Sequence, residues 1–181
     1  SALFSSKQVN LDNELVFITR APLMQKIVAI NKLNYYYFLE GKFITSEIYN
    51  ESPFEVVAIK WADSNAVSNF KIVNLTQIGG KLVCQQTGST QSIQFKWNVP
   101  FRIYGSDVFI RVNPSAASSM QKNKKDYLFT FKPIDKTAAE ILQGLTATPL
   151  SKQTTIINLE LKGANKDKCS FILNSLVQEY N

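Results

Sequence analysis

Two acidic residues four positions apart, Glu47 and Glu51, are the residues of this chain whose type and spacing could support catalysis. A pair of carboxyl groups can act as general acid and as nucleophile or base in the hydrolysis of a glycosidic bond. The pair lies in a short polar stretch, however, where carboxylates are usually solvated surface charges. Histidine, the commonest general base near neutral pH, is absent from the chain. A glycoside-modifying enzyme is therefore kept only as a third functional hypothesis.

Neither cysteine belongs to a recognisable metal-binding motif. Cys84 and Cys169 each lack a second cysteine nearby in the sequence, which argues against a zinc site. Cys84 falls in a predicted strand and Cys169 on the apolar face of a predicted helix, so both are expected to be buried thiols that form no disulfide. Gly79-Gly80 is not followed by the Lys-Ser/Thr pair of a phosphate-binding loop and is predicted to be a hairpin turn. We therefore expect no catalytic, cofactor-binding or metal-binding residues here.

The aromatic side chains indicate a carbohydrate-binding surface as an alternative. Aromatic rings with a polar edge can stack on sugar rings. Trp97 alternates with Phe95 and Ile93, a pattern typical of a half-buried strand, and is predicted to lie in the core. Trp61 ends a predicted strand, beside Lys60 and Asp63, so it is the candidate for a glycan contact, although a core position also fits it. A free-standing glycan-binding module is the second functional hypothesis.

The charge of the chain is basic, with a formal net charge of +6, which permits an anionic partner. Only Lys122, Lys124 and Lys125 form a cluster, and the other basic residues are scattered. Since no nucleic-acid motif with interleaved aromatic residues is present, we expect no nucleic-acid partner. No apolar run reaches the roughly 18–20 residues of a membrane span. Any membrane attachment would therefore use segments outside this chain.

The stretch Leu33–Phe54 organises the predicted fold. Its run of five aromatic and apolar residues at positions 35–39 predicts a strand that is covered on both faces, or on one face with tyrosine hydroxyls reaching water from the other. Gly41 is expected to end that strand, because glycine supplies the positive φ that a tight reversal needs. The residues from Thr45 to Tyr49 are expected to follow as a short polar excursion. Ser52-Pro53 then forces an extended backbone, from which a second strand begins at Phe54.

The remaining pattern predicts an α+β fold in a single domain over residues 1–181. Short alternating apolar stretches from about residue 54 to residue 132 predict a strand-rich centre with a largely antiparallel sheet. Helical periodicity predicts helices at both chain ends, packed on one face of the sheet. A second helix, or a kinked continuation of the first, is expected from Pro22, with Leu23, Ile27 and Ile30 inward. Gly163 and Asn165 are expected to form the turn and cap of the last helix, whose predicted apolar stripe is Cys169, Ile172, Leu173, Leu176, Val177 and Tyr180. A capping-box spacing opens one helix at Thr137. A strand–helix–strand unit over Tyr127–Leu161 could add one parallel pair.

A set of residues at both ends of the chain forms a more specific pattern. The pieces read NYYY from Asn34, EGK from Glu40, TSEIY from Thr45, SPF from Ser52 and LELKGAN from Leu159. The residues that carry the pattern are Asn34, Tyr36, Tyr37, Gly41, Ser46, Glu47, Tyr49, Ser52, Pro53, Phe54, Gly163, Asn165, Asn174 and Tyr180. In this order and spacing they resemble the bacterial chain-length-determinant, or polysaccharide copolymerase, family. The similarity is to the branch associated with cytoplasmic tyrosine autokinases in capsule or exopolysaccharide export.

The resemblance implies a non-catalytic domain on the periplasmic face of the bacterial inner membrane. Such a domain regulates polysaccharide chain length, self-associates in the full-length protein and works with the polymerase and export machinery. Polysaccharide is itself a candidate ligand, and no cofactor is implied. The membrane helices and the tyrosine kinase would lie outside this chain, the kinase in the same polypeptide or in a companion one. The signature residues are expected to have structural roles.

Overall fold

The computed structural model describes residues 11–86, 89–114, 125–151 and 156–180. These residues form an α+β structure with antiparallel sheets and with helices near both chain ends, which confirms the predicted fold class. The chain divides into two compact units, a sheet unit at Tyr35–Pro133 and a helical unit from the segments on either side of it. The single domain expected over the whole chain stays a prediction.

The sheet unit has nine strands in its described residues, with a short 3₁₀ turn at Tyr49–Glu51 between the second and the third. The strands are β1 Tyr35–Glu40, β2 Thr45–Glu47, β3 Phe54–Lys60, β4 Ser68–Val73, β5 Gly79–Gln86, β6 Ser89–Lys96, β7 Phe101–Ile103, β8 Ser106–Val112 and β9 Asp126–Phe131. Six of them form a sheet in the order β2-β1-β9-β4-β5-β6, and three form a sheet in the order β3-β8-β7. All neighbouring strands run antiparallel.

The core of the sheet unit is one aromatic-rich cluster to which both sheets contribute. Alternate residues of β8 and β9 are buried, because successive side chains of a strand point to opposite faces. The buried members are Tyr37, Phe54, Val56, Phe70, Ile72, Leu82, Cys84, Phe95, Ile103, Val108, Ile110, Tyr127, Phe129 and Phe131.

The organising stretch folds as predicted at its ends and differs in its middle. Strand β1 ends at Glu40, before Gly41, and β3 begins at Phe54, as expected. The polar residues that follow the first turn are a strand, β2, which pairs with β1 so that Phe38 lies opposite Glu47. The reversal is closed by a hydrogen bond from the Gly41 N–H to the Ile44 carbonyl, at 3.0 Å. The positive φ expected at Gly41 is not found. Glycine fits there because a Cβ would overlap the Ile44 carbonyl oxygen. Pairing with β1 gives β2 a strand conformation that its polar sequence does not signal.

The prediction of a turn at Gly79-Gly80 is wrong, since both glycines lie in β5 and pair with Phe95 and Lys96 of β6. The actual turn precedes them, where the Thr76 N–H donates to the Gly79 carbonyl at 2.8 Å. A Cβ at Gly79 would overlap the Phe95 carbonyl oxygen and lie 2.9 Å from the Lys96 Cα. Glycine is therefore required here because the two strands approach each other closely. In a sequence, a glycine can indicate either such an approach or a turn.

The helical unit contains four helices and one hairpin in its described residues. Residues 11–18 form α1, and the other elements are α2 Ala21–Ile30, α3 Ile134–Gly144, β10 Leu145–Pro149, β11 Ile157–Leu161 and α4 Lys166–Tyr180. Helices α3 and α4 both pack against α2. Helix α2 begins beside Pro22, as predicted, because proline fits the first helical turn. Its buried residues are Met24, Ile27 and Val28, whereas Ile30, expected to be inward, is 60% exposed.

Two predictions for the segment after β9 are wrong. No parallel pair forms among the described residues there, because β11 pairs antiparallel with β10 in a separate two-stranded sheet. Helix α3 begins at Ile134, so Thr137 lies inside it, fully buried, and is not its N-cap. The earlier start has a local reason, since Pro133 precedes the helix and Asp135 places a negative charge in its first turn.

The start of α4 agrees with its predicted cap. The Asn165 side-chain oxygen accepts a hydrogen bond from the Lys168 N–H at 3.0 Å, which satisfies one of the unpaired N–H groups of the first turn. Gly163 lies against this turn, and a Cβ there would stand 2.6 Å from the Cys169 Sγ. The predicted apolar stripe is only partly correct. Ile172 and Leu176 are buried, but Lys168 and Ser175 are buried with them, and Val177 is 46% exposed.

Replacing Gly163 with alanine is expected to lower the free energy of unfolding by about 1–3 kcal/mol, because the added methyl group overpacks against the Cys169 thiol. Adding Cys169→Ala, which removes the sulfur, should recover much of this loss. Urea unfolding of the wild type, the two single variants and the double variant measures the coupling. Simple additivity of the two single effects would contradict the proposed contact.

Candidate functional site

Several signature residues of the organising stretch lie together at the corner of the sheet unit where β1 contacts the start of β3, called here the β1–β3 corner. The Tyr37 ring packs edge-to-face on Phe54, with ring centroids 5.7 Å apart. The Tyr37 hydroxyl accepts a hydrogen bond from the Val56 N–H at 3.1 Å. The backbone carbonyl of Tyr37 accepts another from the Ile48 N–H at 2.9 Å. A single tyrosine on β1 therefore holds the chain on both sides of the 3₁₀ turn.

The Ser52-Pro53-Phe54 segment is fixed by hydrogen bonds at the start of β3. The Ser52 Oγ donates to the Phe54 carbonyl at 2.7 Å. Asn113, which follows β8, donates from its backbone N–H to the Pro53 carbonyl and from its Nδ2 to the Ser52 carbonyl, each at 2.9 Å. Because Ser52 and Phe54 are almost fully buried, these bonds satisfy polar groups that have little access to water.

A cleft of about 510 Å³ opens at this corner. Its lining residues are Tyr37, Tyr49, Ser52, Phe54, Glu55, Arg111, Val112, Asn113 and Pro114. Four of them, Tyr37, Tyr49, Ser52 and Phe54, belong to the signature. Burial raises the pKa of the Tyr49 phenol, and the negative charge of Glu47 adds to that shift. We take this cleft as the candidate functional site.

Arg111 and Glu55 form the charged wall of the cleft. They lie directly opposite each other on β8 and β3, where cross-strand side chains are close enough to pair. The Arg111 Nε donates to Glu55 Oε2 at 2.7 Å, and Nη2 contacts the same oxygen. The Arg111 side chain is 51% exposed and that of Glu55 31% exposed. The pair is thus held in one geometry while remaining accessible from solvent.

The other signature residues of the sheet unit do not line the cleft. Tyr36 is half-buried, with the Lys132 Nζ 4.8 Å from the centre of its ring. Gly41 and Ser46 are exposed on the β1–β2 hairpin. Glu47 ends β2 and Glu51 is exposed in the 3₁₀ turn. Neither carboxylate lines the cleft, so the structure does not bring the carboxylate pair of the third hypothesis to this site.

Trp61, the sequence candidate for a glycan contact, is packed among aromatic side chains. Its ring stacks on Phe131 with centroids 4.4 Å apart and lies parallel to Phe129 and Phe70 at 6.3 and 6.2 Å. Its Nε1 donates to the Tyr35 hydroxyl at 3.2 Å. One face and the polar edge of Trp61 are therefore occupied by protein groups, which favours the core interpretation that the sequence left open.

The remaining signature residues belong to the helical unit. Asn34, the residue before β1, is buried, with 4% of its surface exposed. Gly163 and Asn165 have the packing and capping roles described above. Asn174 is exposed on α4, and the Tyr180 ring lies 6.0 Å from that of Phe17. None of these residues lines the cleft.

Other predicted features can be compared with the described part of the chain. Neither Cys84 nor Cys169 forms a disulfide bond, as expected, and Cys84 is buried whereas Cys169 is only half-buried. Among the described residues, no three acidic or cysteine side chains are grouped closely enough to hold a metal ion. Within the same ranges no helix is long and apolar enough to cross a bilayer. Of the lysine cluster, Lys125 is exposed, while Lys122 and Lys124 lie outside the described residues.

Sequence reasoning missed five residues of the cleft: Glu55, Arg111, Val112, Asn113 and Pro114. Glu55 and Arg111 are 56 positions apart, and each alone reads as an ordinary charged strand residue. The alternation of side chains along β3 and β8 could have indicated them, because pairing the two strands puts Glu55 and Arg111 on the same face of the sheet.

Tyr37→Phe is expected to reduce the alkaline sensitivity of the protein. Burial raises the pKa of the Tyr37 phenol above its ordinary value, so its neutral form contributes stability that is complete below about pH 10 and is lost as the pH rises further. The variant should lose about 1–3 kcal/mol near neutral pH, since the buried Val56 N–H loses its acceptor. Above about pH 10 its stability should decline less steeply than that of the wild type. Urea unfolding over this pH range measures both effects, and parallel declines would contradict the assignment.

Comparison with known proteins adds no relative, since neither the protein-family models nor the curated proteins searched contain a match to this chain.

Proposed function

We propose that this chain is the non-catalytic periplasmic domain of an inner-membrane polysaccharide copolymerase. In this role it regulates the chain length and export of a capsular or extracellular polysaccharide. The full-length protein self-associates and is anchored by membrane segments outside this chain. It works with the polymerase and export machinery. A cytoplasmic tyrosine kinase is fused to it or encoded beside it.

One observation carries this proposal beyond the resemblance in sequence. Tyr37, Tyr49, Ser52 and Phe54, which are spread over 18 positions of the signature, converge on one corner and line one cleft. If the signature residues serve to build the fold, they should contact one another, and the Tyr37–Phe54 ring pair is such a contact. This supports treating the signature as a single structural unit and not as scattered coincidences.

Deletion of the gene in the bacterium that carries it tests the proposal. The length distribution of the surface polysaccharide, measured by size-exclusion chromatography, is expected to change, and a plasmid copy of the full-length protein should restore it. An unchanged distribution after deletion would overturn the proposed function. The coding sequence on either side of this chain should also contain two apolar segments of about 20 residues, enough to span a bilayer.

A free-standing glycan-binding module is the second candidate, and the solvent-accessible cleft is the observation that favours it. This candidate predicts a secretion signal without membrane-spanning segments in the complete coding sequence. The third hypothesis, a glycoside-modifying enzyme using Glu47 and Glu51, gains no support from the cleft, since neither carboxylate lines it.

A further inference from the structure

We propose that the cleft at the β1–β3 corner binds a neutral segment of a polysaccharide chain, with Arg111, Glu55 and Asn113 as its polar contacts. This inference rests on the proposed function, which makes a polysaccharide the polymer that the protein handles. The cleft volume of about 510 Å³ falls within the range of about 300–1,000 Å³ that is usual for small-molecule sites.

The charged wall favours a neutral ligand over an anionic one. Glu55 lies 2.7 Å from the Arg111 Nε, so the positive charge of the guanidinium is already balanced within the cleft. An anion would have to compete with this carboxylate for Arg111. A sugar hydroxyl avoids that competition because it can donate to the carboxylate and accept from the guanidinium at the same time. Of the five N–H donors that an arginine carries, those not directed at Glu55 remain for a ligand.

The polar groups of the cleft are held in place before any ligand binds. The Asn113 side chain is oriented by its hydrogen bond to the Ser52 carbonyl at 2.9 Å, and Arg111 is oriented by Glu55. Both residues sit at or just after the end of β8, whose pairing with β3 fixes their backbone. Binding to such a site requires little side-chain ordering, which otherwise weakens affinity.

The remaining walls are apolar and aromatic. Tyr49, Val112 and Pro114 supply ring and aliphatic surface beside the polar groups. Sugar rings expose C–H faces as well as hydroxyls, so they match a wall that combines both kinds of surface. The cleft thus offers a saccharide apolar surface beside polar groups, which Trp61 does not, since the Trp61 ring is stacked on Phe131.

The test is an NMR titration of this chain with four linear trisaccharides, three neutral (maltotriose, cellotriose and tri-N-acetylchitotriose) and one acidic (trigalacturonate). At least one neutral trisaccharide is expected to shift the backbone amide signals of Tyr49, Glu55, Arg111 and Asn113. Arg111→Lys, which keeps the charge but removes the planar fork of donors, should weaken this binding about tenfold.

Arg102→Lys is the matched control. Arg102 pairs with Asp107 across β7 and β8, at 3.6 Å, and does not line the cleft, so this change should leave binding unaltered. The proposal is overturned if no neutral trisaccharide shifts the cleft signals, if only trigalacturonate does so, if the shifts centre on Trp61, or if the two lysine variants weaken binding equally. Its failure is separable from that of the proposed function, because the gene-deletion experiment measures polymer length without reference to this cleft.

Discussion

Replacing Phe54 with alanine is expected to lower the free energy of unfolding by about 3–5 kcal/mol, the range found for removal of a fully buried aromatic ring. Phe54 is 1% exposed and packs edge-to-face on both Tyr37 and Tyr127, with centroids 5.7 and 5.5 Å apart. The loss is a large share of the roughly 5–15 kcal/mol that stabilises a typical domain. Urea unfolding of the variant and the wild type measures it.

Phe43→Ala provides the matched control for this prediction. Phe43 lies on the β1–β2 hairpin and is 89% exposed, so the same change of side chain should alter stability by no more than about 0.5 kcal/mol. Equal losses in the two variants would show that Phe54 does not have the packing described. Full stability of the Phe54 variant would have the same meaning.

Gly79→Ala is expected to have the second-largest effect, a loss of about 3 kcal/mol at the upper end of the usual cost of overpacking. The new methyl group would meet the Phe95 carbonyl oxygen and the Lys96 Cα, both of them backbone atoms that no change of side-chain rotamer can move away. Strands β5 and β6 would have to separate, and their ladder of hydrogen bonds would weaken.

The control for this second variant is Gln85→Ala, at an exposed position of the same strand, with an expected change within about 0.5 kcal/mol. The free energy of unfolding of both variants is obtained from urea titrations. Wild-type stability in Gly79→Ala would refute the claim that the glycine is required by the approach of the two strands.

Features of the fold that depend on local chemistry could be predicted from the sequence. The end of β1 before Gly41 follows from the turn preference of glycine, and the start of β3 follows from the extended backbone that Pro53 imposes. The Asn165 cap of α4 was predictable for the same reason, since a single side chain satisfies a nearby N–H group.

Features that depend on the pairing of distant segments could not be predicted in this way. The antiparallel β10–β11 hairpin and the strand role of Gly79 are decided by which strands become neighbours. The same holds for the candidate site, since its signature residues were named from the sequence but Glu55 and Arg111 meet only when β3 pairs with β8. Trp61 ended a predicted strand, where alternation gives no indication of its surroundings.

The position of the two tryptophans has a practical consequence for studies of folding. Trp61 and Trp97 are the only tryptophans of the chain, and both lie in the sheet unit. Among the described residues, all four α-helices lie in the other unit. Indole fluorescence therefore reports the melting of the sheet unit, while helical ellipticity reports mainly the melting of the helical unit. Coincident transitions by the two optical signals would mark the two units as one cooperative folding domain, and separated transitions would mark them as two.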